Sequence, residues 1–272
     1  MGSMPLSVAS LLADPSTLWT DPASPLAEAP EAAWLAFFRL ARIYHRYEVR
    51  GMEHLLRPGA ALIVGYHGRP IAYDLCMLTV TLREQLGYLP HGIIHGYFGH
   101  QTILKWAIDG LGFVTGDGEA IAAAVARGEH ILVQPGGTRE GCRSFKHRYE
   151  VDWGDRTGYL RLALRHRLSI IPVAAVGIDD GYIGLNDGYA LGRRLGVPHR
   201  IPVWLGLGPL GLWPISPPFP VKITQIVGAP IDPLAEGPIA EGDRESLLRL
   251  HRKVASAVQG LMDDARLRGA AP

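Results

Sequence analysis

Short apolar runs, each closed by glycine or a polar turn, alternate along this chain with longer stretches of helical spacing. The sharpest break is in Ala61–Asp74, ALIVGYHGRPIAYD. Ala61–Val64 reads as a buried strand, which stops at Gly65-Tyr66-His67-Gly68, and Leu75–Leu89 then reads as a helix. Ile131–Glu140, ILVQPGGTRE, repeats the pattern: Ile131–Gln134 is a strand that ends in a glycine turn. Further strands are expected at Glu48–Gly51, Gly92–His95, Phe113–Thr115, Ser169–Val176 and Val221–Val227. Helices are expected at Glu31–Tyr47, Thr102–Leu111, Glu119–Arg127, Gly158–Arg167, Ala190–Leu195 and Arg244–Arg268. Strands alternating with helices predict an α/β fold, with a mostly parallel central sheet, helices on both faces and an N-terminal helical arm. Residues 1–47 are expected to form that arm and 48–272 the α/β domain. Trp204–Pro220, with five prolines, reads as a loop that walls a lipid tunnel or covers the surface.

Open α/β sheets place their chemistry at the carboxyl ends of strands. His67 falls just past one such end, and Asp74 at the head of the next helix. The pair reads as a general base with an orienting carboxylate, or as a turn residue with a helix cap. Two turns at one edge, the second carrying Gly136, Gly137, Thr138, Arg139 and Glu140, make one site. Adjacent glycines let backbone N–H groups approach a ligand. Arg139 is placed either to meet an anion or to form a structural salt bridge.

Composition narrows the class. The 272 residues are 47% hydrophobic and 19% charged, with a formal net charge of +1. This is enough chain for one sizeable core and gives no basic run for nucleic acid. Cys76 and Cys142 have no paired spacing, so neither a disulfide framework nor a zinc site is expected. Apolar runs fall short of the ~20 residues of a membrane span. No signal peptide is evident, and Met1-Gly2-Ser3 ahead of Met4 reads as a cloning remnant. His91, His95 and His100 have no completing carboxylate pattern, so no metal is expected. No GxSxG elbow surrounds Ser144 or Ser169, which counts against a serine hydrolase. Cys142 reads as a packing residue before a catalytic thiol. Glu31–Tyr47 places Trp34, Phe37, Phe38, Ala41 and Tyr44 at three-and-four spacing beside Arg39, Arg42 and Arg46. It is either a core-packed helix or an interfacial membrane element.

The order strand–His–gap–Asp, then LGFVTGD, IAAAVARGEH, PGGTRE, VDWGDRTGYLRLALRHRLSIIPV and SIIPVAAVG, resembles the PlsC-like, or lysophospholipid acyltransferase, superfamily over roughly Tyr47–Pro233. Gly68 after the histidine and the PGGTRE form are most similar to its diacylglycerol-acyltransferase-type and phytyl-ester-synthase-like branch. The resemblance implies an O-acyltransferase with His67 and Asp74 catalytic and Gly136–Glu140 at the substrate. It implies no cofactor, only an acyl-CoA or acyl-carrier-protein donor and a hydroxyl acceptor. The family's usual four-residue His–Asp gap is six here. Leu111–Asp117 lacks the arginine of phosphate-acceptor members, which implies a neutral lipid or alcohol acceptor. A 1-acylglycerol-3-phosphate acyltransferase, a lipid esterase or thioesterase, and a lipid-binding module without turnover are the rival readings. A cytoplasmic protein, peripheral on the inner face of the membrane, is expected.

Overall fold

This computed structural model describes residues 28–70, 72–94, 110–115, 118–197, 202–235, 237–240 and 242–269. Most of the N-terminal arm, most of the expected Thr102–Leu111 helix, His95, His100, Gly116 and Asp117 lie outside them.

Seven strands form the main sheet: β1 (Glu48–Arg50), β2 (Ala61–Gly65), β3 (His91–Ile94), β4 (Val114–Thr115), β5 (Ile131–Val133), β6 (Ser169–Val176) and β10 (Thr224–Val227). Their order is β1-β10-β6-β2-β5-β3-β4, and every pairing is parallel except β10 with β6. Strand β2 is buried along its whole length, which explains its unbroken apolar sequence. Its side chains alternate between two cores. Leu62 and Val64 join a cluster with Phe38, Ile121, Leu160, Val254 and Val258. Ala61 and Ile63 join Leu75, Leu78, Leu82, Ile171 and Val173 on the other side. Each fully buried Leu or Ile contributes about 1.5–3 kcal/mol.

The α-helices among the described residues are α1 (Ala29–Tyr44), α2 (Tyr73–Leu86), α3 (Glu119–Ala126), α4 (Thr138–Gly141), α5 (Gly158–His166), α6 (Gly188–Arg194) and α7 (Arg244–Gly269). Helix α1 packs one face on the core and leaves apolar side chains on the other. Phe38 and Ala41 are buried, and Trp34 Nε1 donates to Thr79 Oγ1 at 3.0 Å. Phe37, Leu40, Ile43 and Tyr44 remain exposed.

The expected loop Trp204–Pro220 is a correction. It contains β8 (Gly206–Gly208) and β9 (Gly211–Leu212), which form a small antiparallel sheet with β7 (Ile183–Gly184). Glycine and proline hide these short strands from periodicity, and the cross-strand partner β7 lies some twenty residues upstream. Trp204, Tyr182 and Cys142 pack beneath the sheet. No described helix is long and apolar enough to cross a membrane.

Candidate functional site

Parallel pairing of β2 with both β5 and β6 brings three carboxyl ends to one edge. From β2 comes Tyr66-His67-Gly68, from β5 the turn Pro135-Gly136-Gly137 leading into α4, and from β6 the short helix Ile178–Asp180. Tyr66 N–H extends the ladder by donating to Val173 O at 3.3 Å, so His67 is the first residue free of the sheet.

The imidazole is held closely. A methyl group on Gly141 would lie 2.6 Å from His67 Nδ1 and 2.7 Å from Cε1, so the ring rests against α4 where only glycine fits. Nδ1 lies 3.2 Å from the Gly68 carbonyl oxygen. A carbonyl only accepts, so this contact places the ring proton on Nδ1 and leaves Nε2 with the lone pair. Nε2 has no hydrogen-bond partner among the described residues. His67 is 9% exposed, and burial lowers its pKa from 6.5 to about 4, so it is neutral at neutral pH.

Asp74 is fully buried at the start of α2, with Oδ1 against Gly68, where a Cβ would approach to 2.7 Å. It makes no hydrogen bond to the His67 ring, and neither carboxylate oxygen has a side-chain or ring partner among the described residues. The longer loop thus returns Asp74 to the neighbourhood of His67, but the Gly68 carbonyl is what fixes the tautomer. Burial raises Asp74 from 3.8 to about 8.

That shift has a stability consequence. Between pH 3.8 and 8 folded Asp74 keeps a proton that the unfolded chain has released. The associated stability is complete below pH 3.8 and is lost as pH rises through 8. Asp74→Asn has no proton to lose. We expect it to exceed the wild type in unfolding free energy by on the order of several kcal/mol at pH 9 and to converge with it near pH 4. Urea titrations at the two pH values read the difference. An equal offset at both would show that Asp74 is ionised when folded.

Glu140 is fully buried, and its carboxylate is spent inside the protein. Oε2 accepts from His67 N–H at 3.0 Å and Trp153 Nε1 at 3.2 Å, and Oε1 accepts from Asp152 N–H at 2.7 Å. It lies on Gly136, where a Cβ would meet Oε2 at 2.0 Å. Burial raises Glu140 from 4.5 to about 7. Gly137 adopts φ +53° and ψ −151°, a conformation suited to glycine, and its N–H is committed to Gln134 O. Arg156 Nη1 braces the turn by donating to the carbonyls of Pro135 (2.8 Å) and Gly136 (2.7 Å). Thr138 and Arg139 face outward. Thr138 Oγ1 bonds the Tyr189 hydroxyl at 2.6 Å, and Arg139 Nε pairs with Asp152 at 2.8 Å while staying half exposed. The inner part of PGGTRE therefore supports His67, and its outer part offers a hydroxyl and a cation to solvent.

Of the other sequence candidates, His91 bonds Gly112 O at 2.9 Å and Glu129 at 2.8 Å, and no cluster of three or more His, Cys, Asp or Glu placed to hold a metal occurs among the described residues. Burial pushes the Cys142 thiol up to about 12. Sequence reasoning missed the buried residues Tyr66, Arg69, Arg143 and Asp179. An Arg two positions after the histidine and a carboxylate just past an apolar strand were visible, but no spacing rule joins them.

No protein-family model matches the chain. A chicken (Gallus gallus) protein named "DGAT1/2-independent enzyme synthesizing storage lipids" is 30% identical over 191 residues, covering 70% of this chain and 53% of that protein. The human protein of the same name is 28% identical over 224 residues, covering 82% and 63%. An uncharacterized Mycobacterium tuberculosis protein is 29% identical over 203 residues, covering 69% and 52%. The chain spans about half to three fifths of the length of these relatives. Among solved structures, the 1-acyl-sn-glycerophosphate (LPA) acyltransferase PlsC from Thermotoga maritima matches with a TM-score of 0.50 at 16% identity, covering 93% of this chain and 88% of that one. The two chains share a mixed α/β fold.

Proposed function

We propose that this chain is an O-acyltransferase, moving a fatty acyl group from acyl-CoA or an acyl carrier protein to the hydroxyl of a neutral lipid or alcohol. The observation that carries the reading is His67: its Nδ1 is spent on a carbonyl, its Nε2 has no partner among the described residues, and it stands at the sheet edge beside PGGTRE. Nε2 takes the acceptor's proton as the hydroxyl oxygen attacks the thioester carbonyl. The C–S bond then breaks, and the thiol leaves with the proton returned by the imidazolium. No covalent enzyme intermediate is needed. The Gly136 N–H, without an internal partner among the described residues, is a donor for the developing oxyanion. Thr138 and Arg139 are placed to meet the carrier or acceptor, with Arg139 suited to the phosphates of a carrier.

The exposed apolar side chains favour lipid presented at a surface. Phe37, Leu40 and Ile43 of α1 are 54%, 67% and 76% exposed, and Leu210 and Ile215 beside β9 are 78% and 90% exposed. Tyr44 OH ties the two regions together through Pro218 O at 2.8 Å. On this reading the protein works in the cytoplasm, docked peripherally on the inner face of a membrane.

A second reading follows from the name of the Thermotoga protein, an LPA acyltransferase: a 1-acylglycerol-3-phosphate acceptor. A third has water as acceptor, as in an esterase or thioesterase. One assay separates them, with acyl-CoA supplied to vesicles carrying a monoacylglycerol, a diacylglycerol, a long-chain alcohol or a lysophosphatidate. Thiol release that depends on a neutral acceptor is expected, with Ile43→Asp and Ile215→Asp slowing transfer to vesicles but not to a soluble alcohol. Acceptor-independent release would establish hydrolysis, and dependence on lysophosphatidate alone would establish the phosphate acceptor.

A further inference from the structure

Four buried polar side chains stand beside His67 and take no part in the chemistry above. Tyr66, Arg69, Arg143 and Asp179 are exposed by 0, 1, 7 and 0%. They form a closed ring. Asp179 Oδ2 accepts from the Tyr66 hydroxyl at 2.6 Å and from Tyr149 N–H at 2.7 Å, and it pairs with Arg69 Nη2 at 3.4 Å. Arg69 Nη1 reaches the Arg143 carbonyl at 3.5 Å, and Arg143 Nη2 returns to the Tyr66 hydroxyl at 3.0 Å. Asp179 thus holds residues 66 and 69, which bracket His67 and Gly68. Its neighbour Ile178 lies against Gly68, where a Cβ would meet Ile178 Cγ1 at 2.3 Å. Gly68 is the residue whose carbonyl fixes the His67 tautomer.

A buried ionic ring is weak as a stabiliser, because desolvation offsets most of its attraction and apolar side chains fill such space as well. Its location suggests a different use. Of the ionisable groups gathered around the His67 turn, Asp74 comes from α2 and keeps its proton at neutral pH. Glu140 comes from α4 and is spent on backbone and indole N–H groups. Tyr66 and Arg69 flank the turn, Arg143 lies just past α4, and Asp179 follows β6.

We propose that Asp179 is the positioning residue of the His67 turn: through Tyr66 and Arg69 it fixes the backbone on both sides of the base, and with it the Gly68 carbonyl that sets the ring's tautomer. The proposal rests on His67 being the base of the reaction above.

The test follows the His67 ring nitrogen shifts by NMR at neutral pH, which report the nitrogen that carries the proton, assigned by their loss in His67→Ala, in the wild type, Asp179→Asn and Asp74→Asn. This readout does not require turnover. Asp179→Asn is expected to turn the Nδ1–H ring into a mixture with the Nε2–H form, and Asp74→Asn to leave it in place. With transfer established, kcat falls about tenfold in Asp179→Asn while KM changes little. A tautomer unchanged in Asp179→Asn, or changed equally in Asp74→Asn, overturns the proposal. Should Asp179→Asn lose its near-ultraviolet circular dichroism, Tyr66→Phe replaces it, since it cuts the Tyr66 arm of the tie and leaves Asp179 on Arg69 and Tyr149 N–H. A mixed tautomer then supports the proposal, and an unchanged one overturns it. A changed tautomer in a protein that transfers nothing would retain the tie between Asp179 and the His67 turn and remove the acyltransferase reading instead.

Discussion

His67→Ala is expected to lower acyl transfer by about 10²–10⁴-fold, the usual worth of a positioned general base, with the protein still folded. The ring caps Gly141 and the Gly68 carbonyl rather than a strand interior, so its loss removes the base without cutting the sheet. His67→Gln, closer in volume, is expected to be equally inactive because an amide, its nitrogen lone pair delocalised into the carbonyl, is too weakly basic to take a proton. In the wild type His67 is neutral above its pKa of about 4. Transfer should therefore be flat from weakly acidic to neutral pH and fall as pH drops through 4. Steady-state rates of thiol release across pH measure both effects. A His67→Ala protein that keeps its circular dichroism and more than a tenth of its activity would remove His67 as the base.

Glu140→Ala is expected to be the most destabilising single change at the site. It leaves the N–H groups of His67, Asp152 and Trp153 without their acceptor in a buried setting. Each buried orphan donor costs about 1–3 kcal/mol, so the sum for three is on the order of 3–9 kcal/mol, a large share of a domain's net stability. Glu140→Gln retains one carbonyl acceptor and should fall between the two. Chemical denaturation of the three proteins measures the order. Equal stability of Glu140→Ala and wild type would mean that these contacts are replaced by solvent.

How much of this is legible in the sequence differs by element. Strand β2 and the helix after it are plain in ALIVGYHGRPIAYD, because a strand buried on both faces must be apolar throughout and its end needs a glycine break. The Thr138–Gly141 helix is not, since four residues carry no period. The sheet of β7, β8 and β9 reads as loop because its strands are two or three residues long and glycine-rich. PGGTRE reads as a ligand-facing block, whereas its glutamate faces inward. No one-dimensional pattern distinguishes a carboxylate aimed at solvent from one aimed at three buried N–H groups.

The sequence by itself determined the alternation of strands and helices and the placing of His67 and PGGTRE at strand ends, because both follow from local periodicity and residue chemistry. Only the tertiary structure decided which groups touch the imidazole. Parallel pairing of β2 with β5 and β6 brings residues 67, 140 and 179 to one edge from distant parts of the chain. Burial there then lowers His67 to about 4 and raises Asp74 to about 8. Contact across seventy or more residues, and the desolvation that comes with it, is a property of packing that no spacing along the chain encodes.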